Sequence, residues 1–172
     1  MNVHELVLSE VLESAGFSVF YPRTDRGIDC VVTARDGRGG PIALQVKGSR
    51  MYETGCGGCG WFQVRAGDLT DPKADYLVFV WPTLTKGGRS LEMTYLLIAP
   101  ADLRDKLASY GAKVTTGRRH NLYFVRDQRT DKVFERRGMA RGAEPGGRDY
   151  SKYVVRGGDW GTPERALESP AG

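Results

Sequence analysis

The hydrophobic pattern at the start of the chain predicts a helix followed by a short strand. Apolar residues recur at helical spacing between residues 2 and 15. Gly16 then ends the predicted helix, as a residue that tolerates positive φ commonly does. Apolar and smaller residues alternate over residues 17–21, and Pro22 closes this strand.

Two further strand-like runs, residues 28–34 and 41–48, form a predicted hairpin. The segment that joins them, residues 36–40, reads Asp-Gly-Arg-Gly-Gly, a composition typical of a turn. The even-numbered positions of both runs are apolar, which predicts that one face of the hairpin is buried. These positions are Ile28, Cys30, Val32, Ile42, Leu44 and Val46.

The rest of the pattern completes a predicted α/β fold. We expect a Gly-rich loop over residues 50–60, followed by a strand at 61–64, a helical turn near 66–74, a central strand at 75–81, a strand at 93–99, a helix from Pro100 to Tyr110 and a last strand at 122–126. This order favours one central mixed sheet flanked by helices.

The odd-numbered face of the hairpin carries the candidate chemistry. If the turn is centred on residue 37 or 38, odd positions face odd positions, and Asp29 lies opposite Gln45 or Lys47. A solvated hairpin face would also carry polar residues at alternate positions. Val31 and Ala43 share this face, however, so it is not plainly a solvated one.

The stretch Gly27-Ile28-Asp29-Cys30-Val31-Val32, followed by Ile42-Ala43-Leu44-Gln45-Val46-Lys47-Gly48, resembles the core motif of the PD-(D/E)XK nuclease superfamily. The helix that carries His4 and Glu5 is similar to the opening helix of the Holliday-junction-resolvase-like branch. The resemblance covers about residues 4–49, with weaker support from residues 75–81. It implies a restriction-endonuclease-like core with the element order αβββαβ.

The resemblance also implies roles for individual residues. Asp29 falls on the metal-binding aspartate of the family, Gln45 on the second metal ligand and Lys47 on the catalytic lysine. The backbone carbonyl of Val46 would complete the metal site, and Glu5 falls on the helix carboxylate of the resolvase-like branch. The implied metal is Mg²⁺, or Mn²⁺ in its place, because phosphodiester hydrolysis needs a hard cation with oxygen ligands.

Two of these assignments leave alternatives open. Gln45 replaces the usual glutamate or aspartate, so it brings an amide oxygen without a negative charge and should bind a divalent cation less strongly. Glu5 could instead cap the N-terminus of its helix, and Glu10 is a competing candidate for the helix carboxylate.

Charge is concentrated toward the end of the chain. The 172-residue chain has a net charge of +4, but residues 113–156 hold 12 Lys or Arg and 5 Asp or Glu, which leaves about −3 for the rest. An excess of cations predicts a polyanionic partner such as nucleic acid, or else a solvated tail. Tyr150, Tyr153 and Trp160 could add base stacking. The candidate nucleic-acid-binding residues are Arg118, Arg119, Arg137, Arg141, Arg148 and Lys152.

Composition divides the chain into two predicted parts. Residues 1–137 form the nuclease-like domain, and residues 138–172 form a basic, Gly/Arg-rich and partly flexible C-terminal segment.

Three cysteines make no disulfide framework, which predicts a cytoplasmic protein. No apolar run approaches the length needed to cross a membrane. The pair Cys56 and Cys59 has zinc-knuckle spacing but no second pair, so we expect no zinc site.

Together these observations predict a metal-dependent endonuclease that acts on DNA as a homodimer, since cutting both strands needs two sites. Cleavage of RNA is an alternative with the same metal chemistry. A second alternative, from a different class, is a catalytically weak or inactive nuclease-fold protein that binds nucleic acid or another partner.

Overall fold

The computed structural model describes residues 2–24, 26–37, 39–54, 57–85, 90–115, 117–136 and 148–160. Within these ranges the helices are α1 (Val3–Ser14), α2 (Gly67–Thr70) and α3 (Pro100–Ser109). The strands are β1 (Phe17–Phe20), β2 (Cys30–Ala34), β3 (Ile42–Gly48), β4 (Met51–Thr54), β5 (Gly57–Arg65), β6 (Tyr76–Leu84), β7 (Leu91–Ile98), β8 (Arg119–Arg126) and β9 (Val133–Glu135). The predicted α/β class is confirmed. Among the described residues, the helices are all too short or too polar to span a bilayer.

The first sheet contains the predicted hairpin and has the strand order β1-β2-β3-β6-β7. It is mixed, because β3 and β6 run parallel while the other neighbours are antiparallel. Within the hairpin Val31 pairs with Ala43, so odd positions do face odd positions and the turn is centred on residue 37. The predicted burial of the even face is confirmed for Cys30, Val32, Ile42, Leu44 and Val46, while Ile28 is half-buried.

Helix α1 covers the even face of this sheet. It begins with a capping box, in which the side chain of Asn2 accepts hydrogen bonds from the backbone N–H groups of His4 and Glu5. Leu8 and Leu12, one turn apart on the same side of the helix, are fully buried. They pack with the even residues of the hairpin and with Val78 and Val80 of β6 and form one hydrophobic core.

The second sheet, with the order β4-β5-β8-β9, includes residues that the sequence pattern assigned to a loop. That prediction is wrong, because the glycines of β5 serve close packing rather than a turn. A Cβ at Gly58 would lie 3.4 Å from Cα of Thr83 on β6, and a Cβ at Gly60 would lie 2.8 Å from Cγ of Trp81 on the same strand. Glycine at these positions lets the second sheet approach the first.

An aromatic core joins the two sheets on the odd face of β6. The ring of Phe62 meets those of Phe79 and Trp81 edge to face, with centroids 5.0 and 5.6 Å apart, and Phe124 of β8 contacts both. Such ring pairs add to the free energy gained by burying their area. Leu103 and Leu107 of α3 close the same core from one end.

Part of the predicted C-terminal segment packs into this core. Tyr150 is fully buried against Phe124, and its hydroxyl shares a hydrogen bond with that of Tyr110 (2.8 Å). Burial raises the pKa of Tyr110 to about 12 and also raises that of Tyr150, so both hydroxyls stay protonated at neutral pH. Trp160 packs on Tyr95 of β7.

Residues 148–160 are held against the body of the protein, while the expected partial flexibility of the C-terminal segment stays a prediction. These contacts correct one expectation, which concerns base stacking. Tyr150 and Trp160 are core residues and cannot stack on bases, because an aromatic ring needs an exposed face for that purpose. The prediction from the sequence was wrong here because the segment is rich in glycine and arginine, and two isolated aromatic residues do not form a recognisable hydrophobic pattern. The division at residue 137 itself stays a prediction.

The buried position of Tyr150 leads to a stability prediction. Tyr150→Ala should lower the free energy of unfolding by about 3–5 kcal/mol, because it removes a fully buried ring and leaves a cavity. Tyr21→Ala, at a side chain that is 43% exposed, should cost less than about 0.5 kcal/mol. Urea unfolding followed by circular dichroism measures both. Equal costs for the two variants would show that residue 150 is not in the core.

Candidate functional site

A cavity of about 840 Å³ lies where the odd face of β3 meets α2 and the second sheet, and its wall is rich in charge. Its lining includes all four residues that the sequence nominated for catalysis: Glu5, Asp29, Gln45 and Lys47. The other charged residues that line it are Arg26, Arg65, Asp68, Asp71, Lys73 and Arg119. Cations therefore slightly outnumber carboxylates around a site that water can reach.

Two hydrogen bonds to the backbone of β3 fix the position of Asp29. Its N–H donates to the carbonyl of Leu44 (2.9 Å), and its Oδ2 accepts a hydrogen bond from the N–H of Val46 (2.6 Å). Bonds to an ionised oxygen are shorter and stronger than neutral ones. The N–H and C=O of one strand residue point toward the same neighbouring strand, so the carbonyl of Val46 also faces the Asp29 side of β3.

Gln45 and Lys47 occupy an interior face of the sheet. In the parallel register, Gln45 lies beside Leu77 and Lys47 beside Phe79, and both apolar side chains are at least 99% buried. Gln45 and Lys47 are themselves half-buried. A polar pair in this setting is not the solvated face of a hairpin, because its strand neighbours belong to the aromatic core. The alternative that these positions are merely solvent-facing is therefore disfavoured.

Asp68 holds the ammonium group of Lys47. Its Oδ2 lies 3.2 Å from Nζ, and both side chains are about one-fifth exposed. The same oxygen also accepts a weak hydrogen bond from the N–H of Arg65 (3.4 Å). Sequence reasoning missed Asp68, because a single acidic residue in the first turn of a four-residue helix gives no signal of its own. The fold alone brings it to Lys47.

Glu5 reaches the rim of the cavity but belongs to the capping box. Its carboxylate accepts a hydrogen bond from the N–H of Asn2 (3.0 Å) and also contacts the Asn2 side-chain amide. The capping role that the sequence left open is therefore present. Glu10 lies elsewhere: burial, and then the nearby Glu10 carboxylate, raise the pKa of Tyr95 on β7.

The negative charges of this site affect the buried thiol of Cys30. Burial, followed by the negative charges of Asp29 and Glu5, raises the pKa of Cys30 to about 12. A thiol with such a pKa stays protonated at neutral pH and is a poor nucleophile. Cys30 is therefore part of the hydrophobic core behind the site.

The second sheet contributes polar residues that the sequence did not nominate. Gln63 and Arg65 of β5 line the cavity, and Arg119 of β8 donates from Nη1 to Oε1 of Gln63 (3.0 Å). Arg65 and Arg119 face each other across the two strands. These residues were missed because the sequence predicted a strand at residues 61–64 but only one central sheet, whereas β5 and β8 form part of a second sheet. Of this group, the sequence predicted only Arg119, and it did so from charge.

The remaining candidate nucleic-acid-binding residues have different surroundings. Arg118 is exposed beside Arg119, and Lys152 is exposed with its Nζ 4.7 Å from the ring centroid of Tyr153. Arg148 instead pairs with the buried carboxylate of Glu135 (3.1 Å) and lies over the ring of Tyr110. These contacts give Arg148 a structural role. Arg137 and Arg141 lie outside the described residues.

The donor set at the cavity combines unlike oxygen groups. Asp29 offers a carboxylate, Gln45 an amide and Val46 a backbone carbonyl, which are hard donors of the kind that Mg²⁺ accepts. Across the described ranges, side chains of His, Cys, Asp and Glu do not gather in threes as they would to hold a metal ion. Cys59 is buried in β5, whereas its predicted loop partner Cys56 lies outside those ranges.

Comparisons of the chain with protein-family models, with the curated proteins and with the solved structures gave no match. The resemblance to a nuclease superfamily therefore stays a prediction from the sequence motif.

The start of α1 is locked to the end of β3, which leads to a test by double mutation. The ring of His4 occupies the space that a side chain on Gly48 would need, and its Nε2 lies 3.3 Å from the carbonyl oxygen of Ser49. Gly48→Ala should therefore cost about 1–3 kcal/mol of stability through overpacking. In a His4→Ala background the same change should cost less than about 0.5 kcal/mol, since the obstruction is gone.

Urea unfolding of the four proteins in this cycle provides the measurement. If the cost of Gly48→Ala is the same with and without the histidine ring, the contact between α1 and β3 is not as described.

Proposed function

We propose that the protein is a metal-dependent endonuclease with a restriction-endonuclease-like core, and that it hydrolyses phosphodiester bonds in DNA. The observation that carries this proposal is the placement of Asp29, Gln45 and Lys47 in one open cavity, on a sheet face whose strand neighbours are buried and apolar. Packing alone would favour hydrophobic side chains there. Polar residues at such positions are expected where function requires them.

The order of elements supports the same proposal. Helix α1 is followed by β1, β2 and β3, and β6 joins β3 in parallel after α2. This is the order αβββαβ, with β4 and β5 inserted before the second helix. The insertion matters for the site, because β5 contributes Gln63 and Arg65 to the cavity.

The residues present fit a hard divalent cation, Mg²⁺ or Mn²⁺. Asp29, Gln45 and the carbonyl of Val46 would hold it, with Glu5 at the rim. When bound, such a cation neutralises charge on the scissile phosphate and makes a water molecule more acidic.

The residues of the chain itself have separable tasks. The ammonium group of Lys47 would donate hydrogen bonds to the attacking water or to the developing negative charge on the phosphate. Asp68 acts as a positioning residue, since its contact with Nζ holds the lysine side chain in the cavity. Arg26, Arg65, Lys73 and Arg119 would bind neighbouring phosphates along the strand.

Two features favour the alternative of a weak or inactive enzyme. Gln45 contributes no charge to the metal site, and Glu5 is engaged by Asn2 in the capping box. The site then depends on Asp29 for most of its attraction to a cation. Binding of nucleic acid without cleavage would be the result. A homodimer stays a prediction, since paired cuts need two such sites.

The proposal predicts cleavage that requires both a metal and Asp29. With Mg²⁺ or Mn²⁺ and a panel of single-stranded, double-stranded and branched DNA and RNA, Asp29→Asn should abolish cleavage, because it removes the anionic ligand without changing its shape. Lys47→Ala should lower kcat by about 100-fold or more. Lys73→Ala is the matched control: this lysine lines the same cavity but is well exposed and pairs with Asp71, so its loss should raise KM and leave kcat nearly unchanged. Cleavage that persists in Asp29→Asn with excess EDTA would rule out the proposal.

A second prediction concerns the neutral ligand. Gln45→Glu should tighten Mg²⁺ binding by adding Coulomb attraction in a partly desolvated site. In a working enzyme the gain in rate should be greatest at low Mg²⁺. The measurement is cleavage against Mg²⁺ concentration for wild type and variant, beside metal binding by calorimetry. Tighter binding without cleavage would favour the inactive alternative, and unchanged binding would exclude Gln45 as a ligand.

A further inference from the structure

The outward face of the second sheet carries three cross-strand pairs in a row. Trp61 pairs with Tyr123, Gln63 with Asn121, and Arg65 with Arg119. The row therefore changes from aromatic to amide to cationic along β5 and β8. Its cationic end lines the proposed catalytic cavity, together with Gln63 from the middle pair. We call these six residues the ladder.

The aromatic pair of the ladder forms an exposed platform. The rings of Trp61 and Tyr123 are nearly parallel, with an interplanar angle of 18° and centroids 6.4 Å apart. Trp61 is 44% exposed and Tyr123 is 37% exposed. A cross-strand aromatic pair stabilises a sheet by itself. That role does not account for the cations beside the rings or for their alignment with the cavity.

Arginines lie at both sides of the platform. Arg50 precedes β4 and, by the register of Met51 with Gly60, lies across from Trp61, while its guanidinium group lies over the ring of Tyr52 (4.7 Å). Arg136 follows β9, and its N–H donates to the carbonyl of Tyr123 (2.9 Å). The row across the sheet is thus cation, ring, ring, cation. This arrangement matches a ligand that has flat rings and a phosphate backbone.

The platform is continuous with the proposed catalytic site. A second hollow of about 440 Å³ is lined by Ser49, Arg50, Tyr52 and Trp61. It shares Val46, Lys47 and Gln63 with the catalytic cavity. A ligand that contacts Trp61 in this hollow therefore also lies beside Lys47, which lines both cavities.

We propose that the ladder binds unpaired nucleotides next to the scissile phosphate, so that the substrate is single-stranded nucleic acid or a duplex with a single-stranded flap or overhang. Bases stack on Trp61 and Tyr123, the amides of Gln63 and Asn121 offer hydrogen bonds to base edges or sugar, and Arg65 and Arg119 bind phosphates. In a blunt duplex the bases are stacked on each other, which leaves their faces closed to the platform. The choice of substrate rests on the proposed nuclease function, whereas the binding surface does not depend on cleavage.

The tryptophans of the chain provide a direct probe of this surface. The sequence has three, and Trp81 and Trp160 are buried, so quenching by an added ligand reports on Trp61. In EDTA, which prevents cleavage, we titrate the protein with a mixed-sequence single-stranded oligonucleotide, a blunt duplex and the same duplex with an overhang. The single strand and the overhang should quench the fluorescence and bind more tightly than the blunt duplex.

Variants separate stacking from simple charge attraction. Trp61→Ala and Tyr123→Ala should each weaken single-strand binding by about 5- to 150-fold, measured by fluorescence anisotropy of a labelled oligonucleotide. Tyr123→Phe should retain most of the affinity, because it keeps the ring. Tyr21→Ala is the matched control, since Tyr21 is equally exposed but lies just after β1, the strand at the far edge of the first sheet. Circular dichroism confirms that each variant is folded.

The outcomes distinguish this inference from the nuclease proposal. Loss of single-strand binding in both alanine variants, with normal binding by Asp29→Asn, supports the ladder even if no substrate is cleaved. Absence of quenching by every oligonucleotide in the wild-type protein overturns the ladder. Equal affinity of wild type, Trp61→Ala and Tyr123→Ala also overturns it, although cleavage through Asp29 would still stand.

Discussion

The strict alternation of β3 is the constraint on which the rest of this structure depends. Leu44 and Val46 must point toward α1, and the intervening Gln45 and Lys47 must point toward the second sheet. A slip of one residue would place an amide and an ammonium group against α1 and would turn two aliphatic side chains toward the cavity. The unfavourable free energy of burying these polar groups and exposing these aliphatic side chains fixes the register of β3. The hydrogen bond from Val46 to Asp29 becomes possible only in that register.

The same alternation explains why the molecule has two hydrophobic cores and a polar cavity beside the aromatic one. Aromatic packing fills the space above β6, but it stops at β3, where polar side chains replace hydrophobic ones. The polar cavity lowers the stability of the fold, because half-buried residues such as Lys47 lose part of their hydration free energy. The ion pair with Asp68 compensates for only part of that loss. The ion pair itself contributes modestly, since both side chains remain in contact with water. Hydrophobic contacts on either side of β3 offset this cost.

The sequence predicted what depends on local periodicity and missed what depends on distant contacts. Helix α1 and the hairpin follow from spacing alone, and so does the shared face of Asp29, Gln45 and Lys47. The strands β4 and β5 were read as a loop because glycine usually interrupts a strand. Here glycine permits the close approach of the two sheets, which depends on contacts with Trp81 and Thr83 of β6. Asp68 and Tyr150 were missed for a related reason, since each has its role only through partners far along the chain.

The ion pair between Lys47 and Asp68 closes a loop 21 residues apart in sequence, and that loop contains all of β4 and β5. The inserted hairpin is therefore tethered at both ends to the same ammonium group: covalently through β3, and electrostatically through α2. A rigid-body movement of β5 relative to β3 must stretch or reorient this contact. The position of the Lys47 side chain in the cavity is thus coupled to the position of the second sheet.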